Sequence, residues 1–338
     1  MVKITRLPSG SYRARVHIGG GKYKSITGKD KKEVQLQAAQ LEAEVAITAS
    51  SPISAMTLSE AIDGYIAQKQ NVLSPSTVRG YRAVQRNATP ELMQMQLREI
   101  DNETVQRAVN DFAKEHSPKY TRNAYGLISA TLAAYMPDLR LKITLPQKQK
   151  HEIEIPTEEE MQKIFAFVKD TDMELPIRLG ACCGMRRSEI LGLKWEDIDL
   201  DNGIIHISEA LVLDENNKTV SKGTKSIAGT RTIRIYPFVK DILKKTPREN
   251  KYLVSLTGIQ ITKRFSKVLK DCEIRHYTFH ALRHYLVSVM LSLNVPKSYI
   301  ADYVGHETEH MIDAVYGHIM ARKKTNVEDI LQQYFSQI

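Results

Sequence analysis

Residues 278–318 read TFHALRHYLVSVMLSLNVPKSYIADYVGHETEHMIDAVYGH, and four side chains in this stretch decide how the rest of the chain is understood. His280 and Arg283 stand three apart on an apolar-periodic segment, so a helix there puts both on one face. Gly305-His306 follows, and Tyr316 comes ten residues after that histidine. These are the residue types that attack a phosphodiester without a metal. Tyrosine is the nucleophile, arginine the fork for phosphate oxygens, and histidine the proton-transfer group with a pKa near working pH. Zinc is the competing reading, because His280 and His284 are four apart, as are His306 and His310. A zinc-hydrolase helix of the H-E-x-x-H kind needs Glu after its first His, and this chain has Ala281 there. No metal ligand and no cofactor is assigned.

At 338 residues with 42% hydrophobic content, the chain is expected to form two or three globular domains. It has no run of eighteen apolar residues, and MVKITRLPSG at its start lacks the apolar core of a signal peptide. The three cysteines (Cys182, Cys183, Cys272) form neither a disulfide framework nor a zinc spacing, which points to a reducing, intracellular setting. The net charge is +9, and residues 1–32 hold nine Lys or Arg against the single acid Asp30, a local balance of +8. Basic arms of this kind point to nucleic acid, the alternative being a charged solvated face.

Residues 11–18, SYRARVHI, alternate: Tyr12, Ala14, Val16 and Ile18 on one face, Arg13, Arg15 and His17 on the other. LPSG at 7–10 reads as a turn, and Gly-Gly-Gly at 19–21 leads to a second strand, KYKSIT. Asp30 then opens a helix, with Glu33 completing a capping box and Val34, Ala38, Leu41 and Val45 as its apolar stripe. SSPISAM at 50–56 is a linker in composition. Four helices follow, opened by Thr57 with Glu60, by Ser74-Pro75, by Asp101 and by Ser117-Pro118. The second carries Arg79, Arg82 and Arg86 as a basic stripe, and the fourth carries Lys119 and Arg122. Pro137 to Pro156 reads as a hinge-like linker. A capped helix at Thr157 with Glu160 then opens a further domain. Arg186 stands at the Gly184 break within IRLGACCGMRRSEILGLKWEDIDL, where the positive end of a helix helps hold an anion. Strands are expected at GIIHIS (203–208) and TRTIRIY (230–236), with the hairpin-like loop SKGTKSIAG, bearing Lys222 and Lys225, between them.

In order, the chain offers G-M-R-R-S-E, a lysine on a hairpin, H-x-L-R-H, G-H and Tyr-Gly-His. From about residue 157 to 320 this resembles the catalytic domain of the tyrosine recombinases, and the basic N-terminal sheet is most similar to integrases of phages and conjugative elements. The resemblance implies Arg186 and Arg283 as phosphate clamps, Lys225 as the hairpin lysine (Lys222 being second choice), and His280 and His306 as proton-transfer and donor groups. It implies Tyr316 as nucleophile, with Ser188 and Glu189 bracing the site. Arg234 departs from the family pattern, standing where many members have proline.

The fold class expected is α+β, mainly α, in three domains: an arm-type DNA-binding sheet with helix (1–48), a helical core-type DNA-binding domain (57–137) and a catalytic domain with a C-terminal tail (157–338). Arg13, Arg15, Lys22, Lys24, Arg79, Arg82, Arg86, Lys119 and Arg122 are the candidate DNA contacts. The partners implied are double-stranded DNA at core and arm sites, a homotetramer on paired sites and an accessory DNA-bending or excision factor, with no membrane. The setting implied is the cytoplasm of a bacterial host, at the nucleoid. A type IB topoisomerase and an inactive DNA-binding regulator on the same fold are the alternatives.

Overall fold

The alternation of SYRARVHI becomes strand β2 (Tyr12–His17), the centre of an antiparallel sheet flanked by β1 (Ile4–Arg6) and β3 (Tyr23–Gly28). The computed structural model describes residues 3–18, 23–50, 55–88, 90–148, 153–223, 230–305 and 312. Two units divide the chain, Met1–Gln149 and Lys150–Ile338.

In the first unit, Ala14 and Val16 of β2 pack on Val34 and Ala38 of helix α1 (Lys31–Ser50), a small core of their own. Ile18, expected to continue the apolar face, lies past the strand end and is exposed. Asp30 caps α1 through the backbone N–H of Lys32 at 2.9 Å. Glu33, expected to complete a capping box, accepts from Gln37 one turn on.

The helical block comprises α2 (Leu58–Lys69), α3 (Pro75–Asn87), the short α4 (Pro90–Gln94), α5 (Asn102–Glu115) and α6 (Pro118–Tyr135). Each expected start is a real cap: Thr57 with Glu60, Ser74 before Pro75, Asp101 with Thr104, and Ser117 before Pro118. Every such cap satisfies an orphan N–H and contributes about 1 kcal/mol. Their apolar faces close on one core that includes Leu58, Ile62, Leu97, Leu127 and Leu132.

The segment after α6 differs from the hinge its composition suggests. Leu139, Leu141, Ile143 and Leu145 pack against the bundle core as an extended strap. Two side-chain amides one turn apart on α5 stand in for a neighbouring strand. Asn102 donates to Arg140 O at 2.9 Å and accepts from Lys142 N at 2.6 Å. Gln106 donates to Thr144 O at 3.0 Å and accepts from Thr144 N at 2.8 Å. Amides can do this because each carries one donor group and one acceptor, matching the peptide.

The second unit opens on α7 (Glu158–Phe167), capped by Thr157 and Glu160, followed by α8 (Glu174–Cys183) and the short α9 (Arg187–Gly192). Strands β4 (Ile198–Asp199), β5 (Ile204–Ile207) and β8 (Arg231–Arg234) form an antiparallel sheet in the order β4-β5-β8. Between β5 and β8 lies a hairpin not anticipated as strands, β6 (Glu209–Leu213) paired with β7 (Thr219–Gly223). Lys222, expected in a loop, therefore sits on β7 opposite Ala210. Helices α10 (Pro237–Lys245), α11 (Gly258–Asp271), α12 (Ala281–Ser292) and α13 (Lys297–Val304) complete the described part. Leu179, Ile190, Ile205, Ile233, Phe265 and Leu282 meet in the core of this unit, which is why the sheet, α8 and α12 hold fixed positions around it.

Gly192 is where the hairpin comes closest. A Cβ there would lie 3.1 Å from Ala210 Cα and 3.2 Å from both Glu209 O and Leu211 N, so with any other residue at 192 the β6 backbone would have to give by a few tenths of an ångström to seat on α9. Lys194, bonded to Glu209 at 3.0 Å, and Glu209, bonded to Ser221 at 2.9 Å, tie the same hairpin root.

Candidate functional site

Helix α8 ends at Gly184, whose left-handed φ of 63° turns the chain sharply so that Arg186 can start α9. The turn is also tightly packed: a Cβ on Gly184 would meet Leu286 at 3.0 Å and Val304 at 3.2 Å. Two helices remote in sequence, α12 and α13, are thereby brought against the arginine loop.

Arg283, on the first turn of α12, is 1% exposed and donates through Nη1 to Gly184 O at 2.7 Å. Arg186 reaches the other way, donating through Nη2 to Gly305 O at 2.7 Å, at the C-terminal end of α13. Gly305 immediately precedes His306. Three of the motifs read in the sequence thus converge through two hydrogen bonds. The guanidinium of Arg186 stays partly open, its side chain 35% exposed.

Glu189 is the hub beneath Arg186. At 3% exposure it accepts from the backbone N–H of Arg186 at 2.9 Å and from its Nη1 at 2.6 Å. Arg231, at the start of β8, donates to the same carboxylate at 3.0 and 3.4 Å. Burial pushes the Glu189 carboxyl up, but the charges and hydrogen bonds of Arg231 and Arg186 outweigh it and hold the pKa below the ordinary value.

His280, an exposed residue, sits at the cap position of α12, one residue before the helix. Its ring meets that of His284 edge-on, with centroids 4.6 Å apart. Loss of hydration, then the cations Arg283 and Arg186, lower its pKa to about 4. At neutral pH its imidazole is therefore uncharged and able to accept a proton.

The expected side chains Lys225, His306 and Tyr316, with the zinc rival's His310, lie outside the described residues. Among the described residues, no group of three or more His, Cys, Asp or Glu could hold a metal ion.

The candidate DNA-contacting residues lie in different surroundings. Directly opposed residues of an antiparallel pair share a face, and Arg13 opposes Thr27, Arg15 opposes Ser25 and His17 opposes Tyr23. Arg13, Arg15 and His17 therefore line the outer face, as expected. Lys24 opposes Val16 and so belongs to the helix-covered face, exposed at its margin rather than beside Arg13 and Arg15. Lys22 lies outside the described residues. Tyr23, not among the residues expected there, stands on the outer face with its ring 5.1 Å from His17 and 5.3 Å from the Arg15 guanidinium. In the bundle, Arg79, Arg86 and Lys119 are exposed. Arg82 is paired with Asp63 and bonds Gln85 at 3.0 Å, and Arg122 donates to Pro146 O at 2.9 Å. Both are partly engaged in holding the bundle and its strap.

Arg231 is a site residue that no motif in the sequence marks. A signal for it existed: alternation in TRTIRIY puts it on the face of buried Ile233, where an arginine needs an acid. Arg187, next to the site, donates to Gly258 O at 3.2 Å and to Thr262 on α11.

The mixed, mainly helical architecture is shared with solved integrase structures. The Tn1549 transposon integrase, in complex with transposon right end DNA, superposes with a TM-score of 0.63 at 17% identity, covering 77% of this chain and 95% of that one. A lambda integrase tetramer bound to a Holliday junction gives 0.56 at 15% identity, covering 90% of this chain and 96% of that one. These likenesses show the shared fold. By sequence, the chain is 24% identical to a XerC-like tyrosine recombinase of Caldanaerobacter subterraneus, covering 96% of both proteins. It is also 24% identical to the integrase of Staphylococcus phage L54a, over 74% of this chain and 83% of that protein. The phage integrase family profile matches residues 155–323. The chain belongs to the phage integrase family, and site-specific DNA recombination is its class of function.

Proposed function

We propose that this chain cuts and rejoins double-stranded DNA through a 3′-phosphotyrosine intermediate on Tyr316, and so integrates or excises a phage or other mobile element. The observation that carries this reading is the convergence on one loop: Arg283 on Gly184 O and Arg186 on Gly305 O, each at 2.7 Å. A phenolate attacking the scissile phosphate passes through a pentacoordinate state with added charge on its oxygens. Arg186 and Arg283 supply planar, permanently charged donors for that charge. His306, next to the residue Arg186 holds, adds a donor. His280, uncharged at neutral pH, takes the tyrosine proton, and Lys225 protonates the departing 5′-oxygen. The phosphotyrosine keeps the bond energy of the diester, so a 5′-hydroxyl from a second strand reverses the attack and joins new ends.

Each region has its part in this reading. Residues 1–48 bind arm sites through the face of Arg13, Arg15 and Tyr23, residues 57–137 grip the core site, and residues 157–338 carry the chemistry. Four copies assemble on paired sites, and an accessory DNA-bending or excision factor sets direction. No described helix is long and apolar enough to cross a membrane. The test is a supercoiled plasmid carrying the element's two ends as direct repeats. Deletion circles joined at a single nucleotide position are expected. Relaxation of plasmids with or without the ends, yielding no joined products, would instead assign a type IB topoisomerase.

A further inference from the structure

Arg231 has no part in the reaction just described, yet it shares a partner with a residue that does. Glu189 Oε2 accepts from Arg186 N at 2.9 Å and from Arg231 Nη2 at 3.0 Å. Its Oε1 accepts from Arg186 Nη1 at 2.6 Å and from Arg231 Nη1 at 3.4 Å. The Arg231 side chain is 6% exposed, against 35% for Arg186. One carboxylate therefore stands between a buried fork and a partly open one.

That arrangement constrains Arg186. An unshared carboxylate beside an arginine settles into a fork-on-fork pair, two parallel N–H···O bonds that use one whole edge of the guanidinium. Such a pair would compete with a phosphate for the same edge. Arg231 occupies the second acceptor site on each Glu189 oxygen, so Glu189 takes only one terminal nitrogen of Arg186. Gly305 O takes one hydrogen of the other. Each terminal nitrogen carries a second hydrogen, and those two hydrogens are the donors left to a phosphate. Arg231 is itself held by β8, which pairs with β5 through Arg231 opposite Ile207.

We propose that Arg231 is a positioning residue for DNA cleavage: by saturating Glu189 it keeps the fork of Arg186 turned to the scissile phosphate. The inference rests on the reading of Arg186 as a phosphate clamp, and its test separates the two. Single-turnover formation of the covalent adduct is measured on two duplexes carrying the mapped crossover site. One has an ordinary scissile phosphate, the other a methylphosphonate, which is uncharged and demands far less of a cationic clamp. On the ordinary phosphate, Arg231→Met is expected to cleave at least ~10-fold more slowly than wild type at equal DNA affinity, the loss of one oriented transition-state contact. On the methylphosphonate the gap should narrow severalfold, as it should for Arg186→Lys. Arg231→Lys, which keeps a cation on Glu189 but not the fork, should fall between wild type and Arg231→Met. It carries the same comparison if Arg231→Met folds poorly. An equal deficit on both substrates, with Arg186→Lys narrowing as expected, would make Arg231 a structural ion-pair partner and overturn the inference. Should Arg186→Lys itself fail to narrow, the clamp reading of Arg186 falls and this inference falls with it.

Discussion

Glu189→Gln tests how much of the catalytic unit rests on one buried carboxylate. The substitution keeps the shape and one acceptor oxygen but turns the other oxygen into an N–H₂ group facing N–H donors. If Oε1 is the oxygen kept, the contacts with Arg186 N at 2.9 Å and Arg231 Nη2 at 3.0 Å are lost. If Oε2 is kept, those with Arg186 Nη1 at 2.6 Å and Arg231 Nη1 at 3.4 Å are lost. Two charge-assisted bonds at about 1.5–3 kcal/mol each, and a guanidinium left buried without its counter-charge, set the loss at about 3–5 kcal/mol. Trp195, the one tryptophan of the chain, lies in the same unit, so its fluorescence during urea unfolding reports that unit. Because the folded-state pKa of Glu189 is lowered, its stabilisation is present above the ordinary carboxylate range and lost as pH falls through the lowered value. The difference between wild type and Glu189→Gln should thus be full at pH 7 and shrink under acid conditions. A difference below about 1 kcal/mol at pH 7, the range of exposed ion pairs, would refute the reasoning.

Three further outcomes follow from the geometry. Gly192→Ala places a Cβ against three backbone atoms of β6 and should cost about 1–3 kcal/mol by the same fluorescence assay; a cost under half a kcal/mol would mean the hairpin root moves aside freely. His280, with a pKa of about 4, should leave the wild-type cleavage rate without an acid limb near pH 6.5; such a limb, absent from His280→Gln, would contradict its being uncharged at neutral pH. Deleting residues 1–48 should leave cleavage of a short core site intact while weakening binding to a long site with flanking repeats and lowering the salt slope; unchanged affinity and slope in gel-shift titrations would reject the arm-site role.

The sequence was most legible where local rules and tertiary needs agree. The alternation of β2 and the caps at Thr57, Ser74, Asp101, Ser117 and Thr157 all name elements that form where expected. Arg186 and Arg283 could be picked out because each sits in a motif, but how they are held depends on contacts across more than a hundred residues or nearly so. Gly184 O and Gly305 O have no signature in sequence. The strap at 139–146 was missed because amide side chains, rather than a neighbouring strand, satisfy its backbone, so no strand partner could be sought. The strands of the hairpin β6–β7 are not legible because LVLDENNKTV is a weak alternation around a polar turn. Charge alone makes Lys24 a candidate DNA contact beside Arg13 and Arg15, but its face is set by the pairing of β2 with β3, which is not legible in composition.

The central claim is that Tyr316 becomes covalently joined to DNA without help from a metal. A phenol with an ordinary pKa of about 10 is mostly protonated at pH 7, so the attack needs a base and a cationic setting, which His280 and the two arginines provide. Tyr316→Phe removes one oxygen and should leave folding and DNA affinity nearly unchanged. The measurement is denaturing electrophoresis of protein incubated with a nicked, end-labelled core site in the presence of a chelator. A shifted covalent band is expected for the wild type, undiminished by chelator, and none for Tyr316→Phe. A band that persists in Tyr316→Phe would place the nucleophile elsewhere, and a wild-type band abolished by chelator would contradict the metal-free chemistry.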